Sequence, residues 1–152
     1  MLPIAKKPIT GYHLTMILDK QLEDWANGAA EYFKSSFGLE ARFALLAARL
    51  YISLWAARLN PRITSGWRDP KHQQDLIARW DRGDRVGLRV RPAEHSRHSY
   101  TNWLGRPAAE ALDMPCDDDK RAAGIAQSLG IGTGQSFSDV DPGHYYLLGG
   151  AK

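Results

Sequence analysis

The chain is predicted to adopt an α+β fold, and three observations predict it. Apolar residues recur at helical spacing through roughly the first third of the chain. Short strand-like runs follow, and further helical stretches separate them. At 152 residues, with 43% hydrophobic and 24% charged residues, the chain makes one ordinary domain, or one domain with an appendage.

Each element has a local cause. Pro3, Pro8 and Gly11 open the chain as an extended arm. From about 14–37, Leu14, Ile17, Leu18, Leu22, Trp25, Ala26, Ala29 and Phe33 trace an amphipathic helix that Gly38 closes. A second helix over about 40–59 is apolar nearly all round, which predicts burial on more than one side; Asn60-Pro61 ends it. Residues 62–66 read as a short strand running into a turn. Asp69 then caps a third helix, with Pro70 at its start, that runs over about 71–82. The segment 83–106 is loop and short strand, rich in Arg and Gly. Residues 108–114 end as a strand, and 117–129 form a helix with carboxylates at its positive end. Gly130, Gly132 and Gly134 break the chain before a final strand over 144–148, stopped by Gly149-Gly150.

Composition excludes several function classes. The single cysteine, Cys116, rules out an internal disulfide framework and a cysteine-only zinc site. No stretch reaches the roughly 18 uninterrupted apolar residues of a membrane span. In Met1-Leu-Pro-Ile-Ala-Lys-Lys no apolar run follows the charges, so synthesis in a reducing cytoplasm without a secretory signal is expected. The net charge of +3 permits an anionic partner without requiring one. Arg79, Arg82, Arg85, Arg89, Arg91, Arg97 and Arg106 follow no helical stripe, so they argue for a solvated face or attraction of carboxylates rather than nucleic-acid binding.

Of the five histidines, two stand in informative settings. His98 lies in Glu94-His-Ser-Arg-His98-Ser, on a loop before the strand that ends at Asp113. His144 lies in Asp141-Pro-Gly-His144-Tyr-Tyr, at the start of the last strand. Two His and one carboxylate on separate elements make a reasonable three-ligand set for zinc with an open fourth position, although a lone His is more often a surface or core residue. His95 competes with His98 and Asp139 with Asp141 for these roles. His72, on the third helix, reads as solvent-facing and His13 as structural.

Three segments resemble the zinc-dependent D-alanyl-D-alanine carboxypeptidases and L-alanyl-D-glutamate endopeptidases, which cleave bacterial cell-wall peptides. Ile63-Thr-Ser-Gly-Trp-Arg-Asp-Pro-Lys-His-Gln73 is similar to that family's strand, Ser-Gly-aromatic-Arg turn and helix. Ser96-Arg-His98 with Ala111-Leu-Asp113 is similar to its metal motif, and Leu129-Gly-Ile-Gly followed by Asp141-Pro-Gly-His144-Tyr to its C-terminal acid-x-x-His element. Together they span about residues 40–148.

The resemblance implies a small antiparallel sheet flanked by helices, the fold of these carboxypeptidases and of hedgehog-like domains. It makes residues 39–152 the peptidase-like domain and leaves 1–38 as an N-terminal extension, an arm and helix suited to docking on a neighbouring virion subunit. It implies that His98, Asp113 and His144 hold Zn²⁺, whose bound water has a pKa near 7. Asp141 would be the general base and Arg68 the oxyanion partner. Their bland alternatives are a turn-forming Asp before Pro and a salt bridge from Arg68 to Asp69 or Asp75. Ser96 would contact substrate or merely cap its loop. The substrate implied is a peptidoglycan stem peptide, and the compact chain without a secretory signal reads as a bacteriophage endolysin or virion-borne lysin acting on the cell wall. A phage tail or baseplate protein on the same scaffold is the alternative.

Two features depart from the family pattern. Asp113 follows His98 by 15 residues, so the intervening chain must make an inserted excursion. Its segment Tyr100-Thr-Asn-Trp-Leu-Gly-Arg-Pro reads as a turn or short hairpin, and Tyr100 and Trp103 would either line a substrate groove or pack the excursion onto the body. Tyr146 stands where many relatives place an acidic residue, which bears on substrate subclass but touches none of the three ligands.

Overall fold

The computed structural model describes residues 11–149. Among these residues are four helices and one three-stranded antiparallel sheet, in the order α1 (Gly11–Phe37), α2 (Ala41–Ala56), α3 (Pro70–Asp81), β1 (Ala111–Asp113), α4 (Asp119–Ser128), β2 (Ile131–Thr133) and β3 (His144–Leu147). Of the arm expected to run through Gly11 to about residue 13, residues 1–10 lie outside the described residues, as does Gly150, whereas residues 11–13 already belong to α1.

The helices begin and end where local chemistry dictates. The Glu40 carboxylate accepts from the Phe43 amide to start α2, and Arg58 and Asn60 turn the chain into the left-handed region before Pro61. The Asp69 side chain caps the Lys71 amide at 2.8 Å with Pro70 in the first turn, and Asp118 caps the Arg121 amide, so α4 begins at Asp119, two residues later than expected. Gly38 takes φ +62° behind α1, a conformation that suits glycine.

Helix α2 forms the centre of the core. Phe43, Ala44, Ala47, Ala48, Leu50 and Leu54 are buried, consistent with an element that packs on both α1 and α4. From α1, Ala26 and Phe33 join the same apolar cluster, with Phe33 edge-on to Tyr51 at 5.8 Å. The second half of α1 therefore packs on the body through its own buried stripe, and truncating Phe33 to alanine would cost about 3–5 kcal/mol. Leu112, Tyr145, Leu147 and Ile131 cover the cluster from the sheet.

The strand order is β1-β3-β2, both pairs antiparallel, and the register sets Asp113 directly opposite His144 and Leu112 opposite Tyr145. Three elements differ from expectation, the first being residues 83–106, which hold a 3₁₀ turn at Arg97–Ser99 and an isolated bridge at Thr101 but no strand. Residues 62–66 make only an isolated bridge, Ser65 to Asp113, because the chain bends away at Gly66 and the Trp67 amide bonds to the Phe37 carbonyl instead. The glycine-rich stretch expected to break the chain includes β2. Gly132 belongs in that strand because a Cβ there would sit 2.3 Å from the Tyr146 ring, which lies across it.

Candidate metal and catalytic site

Four backbone elements deliver the site. Ser96 Oγ accepts from the His98 amide and opens a single 3₁₀ turn, Arg97–Ser99, that carries His98 inward to 4% exposure. Asp113 ends β1 and His144 begins β3, side by side through the register. Asp141 stands in the turn before β3, where two close approaches fix it. Gly134 lets the Asp141 carbonyl come near and receives the Asp141 amide at 3.0 Å, and Gly143, at φ +80°, packs against Pro115.

His98 Nε2, Asp113 Oδ1 and His144 Nδ1 form a small triangle. The edges are 3.4 Å between the histidines, 3.4 Å from His98 to Asp113 and 2.9 Å from His144 to Asp113. These side chains could hold one metal ion. An ion bound tetrahedrally at about 2.0–2.2 Å separates its ligands by about 3.3–3.6 Å, so two edges match and the third is about half an ångström short. The outer contacts fit too. His98 Nδ1 lies 2.7 Å from the Gly66 carbonyl, and donating there turns Nε2 toward the triangle.

The electrostatics follow from burial. Burial alone would raise the Asp113 pKa, but hydrogen bonds from His144 and His98, with their charge, outweigh it and hold the carboxyl well below the usual range. Asp141 behaves oppositely: burial, aided by the nearby Asp113 charge, raises its pKa against the pull of His144 and Arg89. Its carboxylate stays 3.9 Å from His144 Nδ1, beside the triangle rather than within it. Burial also lowers the Arg68 pKa, while Asp113 and Asp141 work against that.

Arg68 is held rather than merely present. Its guanidinium donates to Gln73 Oε1 at 2.6 Å and to Ser65 Oγ at 3.1 Å, and meets Asp113 Oδ2 at 3.5 Å. Gln73, 3% exposed, donates in turn to the Ala93 carbonyl at 2.7 Å. The ion pair is thus with Asp113, not with Asp69 or Asp75.

These groups line one cleft of about 710 Å³, which also includes Ser96, Arg89 and Phe137. The excursion's residues lie elsewhere. Residues 100–107 do form a tight hairpin, bridged between Thr101 and Pro107, but Trp103 is 91% exposed at its tip. The Tyr100 carbonyl accepts from Trp67 Nε1, and neither Tyr100 nor Trp103 is among the cleft's lining residues. His95 and Asp139 line the cleft yet stand outside the ligand triangle. His72 faces solvent, and the side chain of His13 lies outside the described ones.

Sequence reasoning passed over Gln73 and Phe137. Each left a faint signal: a glutamine three residues before Leu76 on the buried face of α3, and a lone aromatic in a Ser- and Gly-rich loop. Phe137 stacks on Tyr146 at 5.6 Å and flanks His144 at the same distance.

Compared with known proteins, the chain matches no protein-family model, and no curated protein is similar enough to count as a relative. No helix among the described residues is long and apolar enough to cross a membrane.

Proposed function

We propose that this chain is a zinc-dependent peptidase that hydrolyses an amide bond in bacterial peptidoglycan peptides. The observation that carries this reading is the convergence of His98, Asp113 and His144 on one small triangle, with Asp141 and Arg68 beside it in the same cleft. Two nitrogens and one carboxylate oxygen are a donor set that suits zinc and leaves an open position. When bound, zinc would supply a water of lowered pKa and polarise the scissile carbonyl.

The chain's own residues do the rest. Asp141, whose pKa burial raises, takes a proton from the attacking water and passes it to the departing amine. Arg68, oriented by Gln73 and Ser65, stabilises the negative charge that develops on the carbonyl oxygen. The Gly66 carbonyl keeps His98 turned so that Nε2 faces the site. On this reading the domain has the D-Ala-D-Ala carboxypeptidase or hedgehog-like fold, and L-alanyl-D-glutamate is the favoured bond.

Zinc-loaded protein should release new amines from purified peptidoglycan, and a chelator should stop it. Asp141→Asn should retain zinc and lose about 10²–10⁴-fold in turnover, whereas His98→Ala should lose both. Unchanged amine release after complete zinc removal would overturn the proposal.

A second reading rests on a different observation. Leu22, Trp25 and Tyr32 on α1 are exposed large apolar residues, which supports docking of this helix on a neighbouring virion subunit. A bacteriophage tail lysin would combine both roles. Mass spectrometry of purified virions tests it, and absence of the chain from the particle would exclude the structural role.

A further inference from the structure

We propose that Arg89 forms a subsite for a single carboxylate of the substrate, at the point where the main cleft opens into a neighbouring recess. This deepens the peptidase reading and rests on it for the identity of the ligand.

The arginines of the cleft wall divide by what they already bind. Arg68 is held by Gln73, Ser65 and Asp113. Arg91 makes two hydrogen bonds to Asp81, at 3.0 and 3.1 Å, and approaches Glu94 at 3.8 Å. Arg97 donates to the Leu147 carbonyl at 2.7 Å and to Glu110 at 3.3 Å, with its guanidinium over the Tyr146 ring. Arg89, also on this wall, makes no hydrogen bond or ion pair among the described residues, and its side chain is exposed.

Its position is built, although its side chain is open. The loop that carries it is fastened at both ends. Arg79 binds Asp84 and the Val86 carbonyl, and Leu88 closes a turn onto Arg85. On the other side, the Arg91–Asp81 pair and the Gln73 bond to Ala93 hold the chain. A cation displayed from a fastened loop gives up little further order on binding an anion.

The place and the charge together define the ligand. Arg89 lines the main cleft and also the adjoining recess of about 550 Å³, which Trp80, Ser138 and Val140 complete. Asp141, His98 and His144 line the same main cleft, so Arg89 faces the space that holds the reacting groups. Asp139 lines the same two spaces. Arg89 is the one guanidinium of this wall that makes no hydrogen bond or ion pair among the described residues, so it is the group open to an anion here. A planar fork of donors also matches a carboxylate in shape.

The test uses two uncleavable ligands on the zinc-loaded full chain. The first is the ketomethylene isostere of N-acetyl-L-alanyl-D-glutamate, in which CH₂ replaces the peptide NH. The second is the same molecule with both carboxylates converted to amides. Titration calorimetry should show the diacid bound about tenfold or more tightly than the diamide, with the difference shrinking as salt rises. Arg89→Gln should remove this preference while zinc content and diamide affinity stay unchanged, and Arg89→Lys should restore part of it. Overturning results are equal binding of the two ligands by the native chain, binding of neither, or a preference that survives in Arg89→Gln. Because binding is read without turnover, failure of peptidoglycan hydrolysis and failure of this subsite are separate outcomes.

Discussion

Replacing Gly66 with alanine tests whether the backbone at this turn sets the metal site. A Cβ at Gly66 would lie 2.3 Å from the Phe37 carbonyl oxygen, 2.6 Å from Phe37 Cβ and 3.0 Å from its carbonyl carbon. Two of these atoms are backbone, so no rotamer change relieves the contact, and the Trp67 amide already bonds that oxygen at 2.6 Å. Overpacking of this kind costs about 1–3 kcal/mol. At about 2–4 °C per kcal/mol for a domain of this size, the melting temperature should fall by about 2–12 °C. The same residue's carbonyl accepts from His98 Nδ1 at 2.7 Å, so displacing it turns a ligand. Loss of such an outer contact lowers metal affinity by about 10–100-fold. Thermal melts followed by circular dichroism, and zinc competition against a chelating dye, read the two effects independently. Gly28→Ala supplies the control, since nothing lies within 4 Å of a Cβ there and α1 should gain about 0.5–1 kcal/mol. If Gly66→Ala melts with the native chain and binds zinc equally well, the account of this turn is wrong.

Two further substitutions probe groups that sequence reasoning did not assign. Gln73→Leu keeps the volume but leaves an Arg68 N–H and the Ala93 carbonyl without their partner, at a cost of about 1–3 kcal/mol. Turnover should fall with zinc affinity unchanged; a drop in melting temperature with full kcat would make Gln73 purely structural. Tyr145 is 1% exposed, and its hydroxyl has no hydrogen-bond partner among the described residues. Tyr145→Phe should therefore be nearly neutral at pH 7, where an ordinary bonded tyrosine would lose about 1 kcal/mol or more. Burial, with smaller contributions from Cys116 and Asp119, raises the Tyr145 pKa, so above about pH 10 the unfolded chain releases this proton first. Stability present below that pH is lost as pH rises beyond it, and Tyr145→Phe should lose less. Denaturant titrations at pH 7 and pH 10.5 compare the two chains, and parallel losses would contradict the burial argument.

What was legible in the sequence is what local chemistry controls. Asp69, Pro70 and Gly38 mark helix ends because caps act over three or four residues, and the structure places those ends within a residue or two. Strand β2 was hidden because glycine ordinarily opposes strand formation, and Gly132 is there for a neighbour distant in sequence, the ring of Tyr146. The partners of Arg68 were obscured for the same reason. Asp69 and Asp75 are near in sequence, while Asp113 is brought beside it by the Ser65–Asp113 bridge. Trp103 looked like a groove residue because aromatic side chains favour interfaces, but its hairpin carries it to solvent.

The site depends more on backbone approach than on the core beneath it. Gly66, Gly134 and Gly143 each stand where a Cβ would strike main-chain atoms of Phe37, Asp141 or Pro115, and each contact fixes a different functional group. Gly66 orients His98, Gly134 seats Asp141, and Gly143 sets the turn from which His144 enters β3. The sheet contributes one further constraint, the pairing of Asp113 with His144. A one-residue slip in that pairing would turn one of the two side chains to the opposite face and separate them. Tyr145 and Leu112 oppose such a slip because both are buried in the core from the other face. The apolar cluster therefore acts on the metal ligands through strand register, and the glycines act through the loops. Substitutions that spare both should leave the triangle intact even where they cost stability.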